Sequence, residues 1–397
     1  MSGITIGDGW ATRLPSSVSE SSQLPHNISL ILNVVHPDHC ACVGTYGIAM
    51  SAASVKSTDE SAKSGPTSPP AVPAATNANV DVLAGHLGHL TDEQQKALAT
   101  FKTNIINAGL YKAPGSTGID GGGTHDEPTL LRFLRARRFD PIKAQKQFAD
   151  AEAWRKKHNV DELFASFDVE EFELSKKFYP KWTGRRDKNG LPVYVYRLAS
   201  LNGSVQKELN QVSAERRYQR IIALYEVMWR FVMPFCSSLP RRTAPTPVSS
   251  VTTIIDLEQV SLTSMWNLRN HLQEASTLAT ANYPETLNTI AVINSPSFFP
   301  TVWGWIKGWF DEGTRTKIHV LGKDPGPTLR SLIDEENLPK AYGGKLDWTF
   351  EDDPSIDSDM IERIGKMPRG PVIWVDEKVV RPAKAPPTPE PSTAAAS

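Results

Sequence analysis

The sequence has little cysteine, no long hydrophobic run and no excess of either charge. Three cysteines in 397 residues cannot form a disulfide framework, which agrees with a reducing compartment. No apolar run approaches roughly 18 residues, and no basic segment precedes an apolar one at the amino terminus, so neither a membrane span nor a secretory signal is predicted. With 43 basic and 44 acidic side chains, bulk attraction to nucleic acid is not expected. We therefore expect a cytoplasmic protein that does not bind nucleic acid.

The motifs of common enzyme classes are also missing from the sequence. We find no G-x-S-x-G elbow, no P-loop and no G-x-G-x-x-G after a strand, so hydrolase, nucleotide and dinucleotide chemistry lack their required groups. His36, His39, Cys40 and Cys42 are residue types that bind zinc, but no second ligand pair follows at finger-like spacing. The sequence predicts no catalysis, no metal site and no cofactor.

Composition predicts a folded middle between unfolded ends. The first 82 residues are rich in Ser, Ala, Pro and Thr without periodicity, and the chain ends in RPAKAPPTPEPSTAAAS. Met50 opens a polar stretch typical of a leader, which raises the hypothesis that residues 1–49 are outside the main translated product. Four parts are predicted: a disordered leader (1–82), a helical unit (83–165), an α/β domain (166–346), and a carboxy-terminal extension with a Pro-rich tail (347–397).

Helix signals begin in the second part. Thr91 and Gln94 form a capping box before apolar residues spaced three to four apart. Asp140 and Pro141 provide a cap and a first-turn proline for a second helix. Between them is a run of arginines, which is more typical of a solvated helix face than of a basic docking surface: Arg132, Arg135, Arg137 and Arg138.

From Leu191 onward, strand and helix patterns alternate. Strands separated by helix-length segments predict a mostly parallel sheet with helical crossovers, and the nearly continuous apolar strands fit burial on both faces. The predicted strands are PVYVYRL, SVTTIIDL, TIAVIN and KIHVL, with helices near 213–231 and 262–282 between them. The fold class is therefore α/β, with a helical unit preceding the sheet.

A short helix after Pro300 is too apolar for an ordinary surface helix. About eleven residues reach about 16 Å, roughly half of a bilayer's hydrocarbon thickness, so this helix cannot span a membrane. Apolar side chains cover more than half of its circumference, so it should meet apolar material on two sides. It is either a core helix between two layers or a movable lid; its apolar residues are Val302, Trp303, Trp305, Ile306, Trp309 and Phe310.

Six segments of the chain form a pattern through their order and spacing: LLRFLRARRFD, AWRKK, IIDLEQVSL, ANYPETLNTIAVINSPSFF, TRTKIHVLG and NLPKAYGGK. Together they resemble the Sec14-like (CRAL-TRIO) lipid-binding family, specifically its fungal phosphatidylinositol transfer branch. The resemblance spans about residues 85 to 350, and it implies a helical amino-terminal unit and an α/β domain whose sheet floors one lipid pocket. The apolar helix then corresponds to a mobile gate.

A phosphatidylinositol headgroup presents a phosphodiester anion and several hydroxyls, so a buried site needs cations or donors for the phosphate and an acceptor for the ring. By resemblance, four residues stand where the family holds inositol phosphate: Arg155, Glu285, Thr314 and Lys317. Each of them alone would be unremarkable, because isolated charges are usually solvated.

The resemblance also implies a polar site for a second lipid, formed here by Tyr194, Tyr225 and Thr253. Two positions depart from the family pattern, because Val251 replaces an expected serine and Thr183 an expected tyrosine. Losing a phosphate donor and an aromatic wall for a quaternary ammonium should weaken choline lipid binding by about a few kcal/mol. We expect phosphatidylinositol to be bound and phosphatidylcholine to be bound weakly.

The resemblance implies a phosphatidylinositol transfer or presentation protein with bound phospholipid as its ligand and no cofactor. It should be a monomer that visits endomembranes (Golgi, endosome or endoplasmic reticulum) or the plasma membrane, and that supports lipid kinases. The alternative is a sensor or adaptor that binds another hydrophobic ligand, such as a sterol or a tocopherol- or retinoid-like compound. Aromatic side chains are the expected membrane contacts of the gate: Phe298, Phe299, Trp303, Trp305, Trp309 and Phe310.

Overall fold

The computed structural model describes residues 81–112, 125–297, 299 and 317–382. The helices of this part are α1 (Asp92–Asn107), α2 (Glu127–Ala136), α3 (Pro141–Lys157), α4 (Val160–Ser166), α5 (Val169–Ser175), α6 (Gly203–Gln211), α7 (Ala214–Val227), α8 (Met233–Ser238), α9 (Leu262–Asn282), α10 (Gly326–Leu332) and α11 (Ser358–Ile364). The strands are β1 (Lys181–Arg186), β2 (Pro192–Arg197), β3 (Val251–Asp256), β4 (Leu287–Ile293), β5 (Ile318–Val320), β6 (Ile373–Val375) and β7 (Lys378–Val380). Helices precede a five-stranded sheet, so the predicted α/β fold is confirmed. The four-part division of the chain stays a prediction.

The amino-terminal helices α1 to α3 share one apolar core. The predicted capping box starts α1, since the Gln94 backbone N–H donates to Thr91 Oγ1 over 3.3 Å and the Thr91 N–H donates to Gln94 Oε1 over 3.0 Å. Asp140 caps α3 as predicted. In the core between these helices, the rings of Phe101 and Phe148 meet edge to face with centroids 5.9 Å apart.

The prediction of a solvated arginine face on α2 is wrong for Arg132. Its side chain is buried, with the guanidinium 4.5 Å from the centre of the Trp229 ring and Nη2 donating to Thr129 Oγ1 over 2.7 Å. Burial lowers the pKa of Arg132 to about 9. The reason is that α2 is covered on most sides, so an arginine on its inner face has no route to solvent.

The main sheet has the strand order β1-β2-β3-β4-β5. Strands β2 to β5 are parallel, as predicted, and β1 pairs with β2 in the antiparallel direction. The sequence analysis missed β1, because its sequence KWTGRR lacks an apolar alternation. No helix within the described residues combines the length and the apolar character that crossing a bilayer requires.

The helix predicted to end near Phe231 is longer than expected. Helix α7 passes through a π-helical turn, Met228–Val232, directly into α8. Such a turn inserts an extra residue and rotates the side chains around it, and it is often found at functional sites. Here it places Trp229 where the core of the amino-terminal helices meets the cores of the α/β domain.

The segment after the sheet packs against β1 rather than extending into solvent. Lys181 Nζ donates to the carbonyl oxygens of Phe350 and Asp352 over 3.0 and 2.8 Å. Gly184 has φ +83°, and a Cβ at this position would lie 2.6 Å from the backbone of Ser355, so a side chain here would displace the segment. The described part of the extension includes the β6–β7 hairpin, where the ring of Trp374 packs on the ring of Phe235 in α8.

Candidate functional site

A cavity lies between the sheet and helices α7 and α9. Its empty volume is about 1090 Å³, part of it open to solvent, and its walls are mostly aliphatic and aromatic. Strand β3 contributes Val251, Thr253 and Ile255, and β2 contributes Tyr194 and Tyr196. These residues alternate along each strand, because every second side chain of a strand points to the same face. The sheet therefore floors the cavity.

The three residues predicted for a second lipid, Tyr194, Tyr225 and Thr253, all line this cavity. Tyr225 is held in place by the ring of Tyr283, which stacks on it with centroids 5.0 Å apart and planes at 21°. Burial raises the pKa of Tyr225 to about 12, so its hydroxyl is neutral at physiological pH. Hydroxyl groups in an apolar wall can orient a polar headgroup.

The two departures from the family pattern lie in different places. Val251 is on the cavity wall, so the missing hydroxyl would have faced the cavity. Thr183 is fully buried on β1, where its hydroxyl donates to the Val193 carbonyl over 3.0 Å and accepts from the Arg185 N–H over 3.1 Å. Its hydrogen-bonding groups are occupied by the strand, and Thr183 is absent from the described cavity lining.

Glu285 and Lys317, both predicted headgroup residues, are brought together by the sheet. Lys317 Nζ lies 3.3 Å from Glu285 Oε2, and the side chains are 35% and 28% exposed. Lys317 immediately precedes β5, and Glu285 lies two residues before the adjacent parallel strand β4, so both lie at the amino-terminal ends of the strands. Glu285 has φ +55°, a left-handed conformation that costs a non-glycine residue about 1–3 kcal/mol and often marks functional sites.

Arg135 is a neighbour of this pair that the sequence analysis did not select. Its Nη2 is 3.4 Å from Ser249 Oγ, and burial lowers the pKa of its guanidinium while the charge of Glu285 partly offsets that shift. The spacing of the arginines could have identified Arg135, since it is one turn after Arg132 and lies on the same side of α2. Glu285 therefore contacts one cation, Lys317, and its charge also acts on a second, Arg135.

Arg155 lies in a separate, closed cluster. Its guanidinium donates to both Glu226 oxygens over 2.7 and 3.1 Å and contacts Asp161 over 3.2 Å, while the Tyr283 hydroxyl donates to Glu226 over 2.7 Å. Burial alone would lower the pKa of Arg155, but the Glu226 carboxylate more than offsets this and raises it above its usual value. The described contacts join Arg155 to Glu226, a residue that the sequence analysis missed, and not to Glu285.

Much of the predicted gate lies outside the described residues. Phe299, the described member of the predicted membrane contacts, is packed in the core and only 1% exposed, so its ring is not presented to a membrane in this structure. Before it, Asn294 adopts φ +51° and donates from Nδ2 to Asp256 Oδ1 over 2.8 Å, which anchors the end of β4. The roles of the outlying residues stay predictions: Phe298, Trp303, Trp305, Trp309, Phe310 and Thr314.

Two family models match the chain. The one described as "CRAL/TRIO domain" covers residues 176–344, and "CRAL/TRIO, N-terminal domain" covers residues 97–150. The Sec14 cytosolic factor of Schizosaccharomyces pombe is 34% identical over 270 residues, 68% of this chain and 87% of that protein. The SEC14 cytosolic factor of Eremothecium gossypii is 34% identical over 265 residues, 67% and 80% of the two chains. A phosphatidylinositol/phosphatidylcholine transfer protein of Arabidopsis thaliana, SFH7, is 35% identical over 223 residues, 55% and 40% of the two chains.

Proposed function

Because this chain belongs to the CRAL-TRIO family, we propose that it extracts phosphatidylinositol from a membrane, encloses the acyl chains and releases the lipid at another membrane. The observation that carries this proposal is the cavity on the sheet, whose lining combines apolar walls with a few hydroxyl groups. No covalent step is required for this activity. The names of the matched relatives, which include cytosolic factors and a phospholipid transfer protein, support lipid transfer.

The headgroup is assigned to the edge of the sheet where Glu285 and Lys317 meet. Lys317 and Arg135 supply cations for the phosphodiester, and the Glu285 carboxylate accepts hydrogen bonds from ring hydroxyls. Thr314, three residues before Lys317, would add a hydroxyl donor. The pair is half-buried, and within the described part of the chain its members meet through a single contact of 3.3 Å, so a ligand can insert between them.

Arg155 has a different assignment in this proposal. Its guanidinium is already engaged by Glu226 and Asp161, so a direct contact with the headgroup would require breaking a buried ion pair. We assign Arg155 to the wall behind Tyr283, and its role as a headgroup ligand stays a prediction.

Exchange requires the lipid to leave without crossing water. Burial of acyl chains is worth about 0.8 kcal/mol per CH₂, so two chains contribute well over about 10 kcal/mol and spontaneous escape is slow. Release is therefore coupled to a membrane, and the segment between Phe299 and Lys317 is the proposed gate. Its indoles at positions 303, 305 and 309 suit the membrane interface. Presentation of the bound lipid would support lipid kinases at that membrane.

Phosphatidylcholine is proposed to be a poor ligand. The wall position Val251 offers no donor to a choline phosphate, and Thr183 is occupied within β1. Tyr194, Tyr225 and Thr253 remain available on the wall, so weak binding is expected rather than complete exclusion.

The bound lipid and the transfer activity of the full-length protein test this function. We expect native mass spectrometry of protein from its own host to identify phosphatidylinositol, and Glu285→Ala to abolish its transfer between vesicles. Glu336→Ala removes an exposed carboxylate that pairs with Lys345 and should transfer lipid like the wild type. A sterol or another hydrophobic ligand, together with unchanged ligand content in Glu285→Ala, would favour a sensor or adaptor instead.

A further inference from the structure

Residues 81–90, which precede Thr91 and α1, form a closed turn that we call the strap. The Gly85 N–H donates to the His89 carbonyl over 3.0 Å, and the His86 N–H donates to the Leu83 carbonyl over 2.9 Å. The side chains of His89 and Asp81 close the turn with a 2.8 Å contact. The strap precedes the segments that match the two family models, residues 97–150 and 176–344.

Two contacts hold the strap against the edge of the headgroup site. Thr246 Oγ1 donates to the Leu87 carbonyl over 3.0 Å. Gly85 has φ +78°, and a Cβ at this position would lie 3.3 Å from the Phe139 ring and 3.5 Å from Arg135 Cδ. The backbone of the strap therefore lies directly on the stem of Arg135, and the next residue is His86.

His86 is a hydrogen-bond acceptor in this position. Its Nδ1 is 3.1 Å from the Leu83 carbonyl oxygen, and since that oxygen can only accept, Nδ1 carries the proton. Burial, with the nearby charges of Arg135 and Lys317, lowers the pKa of His86 to about 4, so the ring is neutral at pH 7. The remaining nitrogen, Nε2, then has a lone pair and, among the described residues, no hydrogen-bond partner.

We propose that the strap is a further wall of the headgroup site, and that Nε2 of His86 accepts a hydrogen bond from an inositol hydroxyl and thereby selects the unphosphorylated ring. This inference rests on the proposed function. A hydroxyl donates to the lone pair, whereas a phosphate dianion at the same ring position has no proton to donate and is repelled by it. Arg135 and Lys317 attract either headgroup, so the distinction depends on the acceptors of the site, the Glu285 carboxylate and the neutral imidazole of His86.

The test measures transfer of radiolabelled phosphatidylinositol from phosphatidylcholine vesicles, with unlabelled phosphatidylinositol or its 4-phosphate as competitor. We expect His86→Leu to weaken phosphatidylinositol binding by about 2- to 12-fold, the range of one neutral hydrogen bond, and to lower the preference over the 4-phosphate. His86→Gln retains an acceptor and should recover part of the preference. His86→Lys replaces the acceptor with a cation and should shift the preference toward the 4-phosphate.

Glu336→Ala is the control, because it removes an exposed carboxylate that pairs with Lys345 outside the strap. It should transfer both lipids like the wild type. Thermal melting of every variant checks that the fold is intact. If the wild type transfers phosphatidylinositol and folded His86→Leu has the same affinity and lipid preference, the inference about His86 is wrong. If the wild type itself transfers no phosphatidylinositol, the proposed function fails first.

Discussion

Two ionic clusters near the cavity each pair a basic side chain with a glutamate, and they differ in how much of their hydrogen-bonding capacity the protein uses. In the cluster of Arg155 and Glu226, the carboxylate is 1% exposed, receives two bonds from the guanidinium and receives a third from Tyr283. In the pair of Glu285 and Lys317, both side chains are about one-third exposed and meet through one 3.3 Å contact.

The difference shows that a basic side chain close to a lipid cavity does not necessarily bind the phosphate of the lipid. A buried ion pair that is fully bonded within the protein would lose those bonds to accommodate a ligand, and breaking it is strongly unfavourable. An exposed pair contributes little to stability, so exchanging its partner for a ligand costs little. The proposed headgroup site therefore differs from the wall that supports it, because its charged groups keep hydrogen-bonding capacity that the protein does not use.

The largest expected effect comes from breaking the closed cluster. Glu226→Ala should lower the free energy of unfolding by about 3–5 kcal/mol, because Arg155 keeps a largely buried charge without its main partner. Urea denaturation followed by circular dichroism measures this change. Asp161→Ala, which removes the 73% exposed partner of the same arginine, should cost less than about 1 kcal/mol. Equal losses in the two variants would contradict the distinction between the clusters.

Breaking the open pair should instead affect binding. Lys317→Ala should lower phosphatidylinositol transfer by about 10- to 150-fold, the value of a charge-assisted hydrogen bond of about 1.5–3 kcal/mol. The unfolding free energy should change by less than about 1 kcal/mol, because the pair is partly exposed. Lys323→Ala, at an exposed lysine after β5, is the control and should behave like the wild type. A Lys317→Ala variant that is unstable but still transfers lipid would reverse the assignment.

A smaller effect is expected from adding a donor to the apolar wall. Val251→Ser places a hydroxyl on the face of β3 that lines the cavity, and it should raise phosphatidylcholine occupancy by about 2- to 12-fold. Lipid extraction and mass spectrometry of the purified variant measure the occupancy. Val251→Thr is the matched control for shape, since it keeps the branched side chain and adds the same group. No gain of phosphatidylcholine in either variant would show that position 251 does not limit its binding.

The smallest effect is expected from replacing the closed cluster as a unit. Arg155→Met with Glu226→Gln removes both charges together and leaves an amide oxygen to accept from Tyr283, and such replacements of buried ion pairs are often close to neutral. Stability should stay within about 2 kcal/mol of the wild type, and phosphatidylinositol transfer within about 3-fold. A stable double variant that has lost transfer would instead make Arg155 a headgroup ligand.

Local signals in the sequence were sufficient to predict several of the helices and strands. The capping box at Thr91 and the cap at Asp140 produce the predicted helix starts, because cap bonds form between residues only two or three apart. Helix α9 has the predicted bounds, and the four apolar segments form β2 to β5. The β1 strand was missed because it lacks an apolar alternation, and the β6–β7 hairpin because strands of three residues are too short to show a pattern of their own.

The amino-acid sequence by itself determined the fold class, the parallel direction of most strands and the resemblance to a lipid-binding family, because apolar periodicity and motif order are properties of the chain. Only the tertiary structure decided which charges are available. Arg155, Arg135 and Lys317 are all basic residues in the sequence, yet Glu226 engages the first, while the other two lie near Glu285 and the strap. The physical reason is that the ion-pair partners of a charged side chain come from residues far away in sequence. How the helices and the sheet pack therefore decides whether those partners use all of its hydrogen-bonding groups.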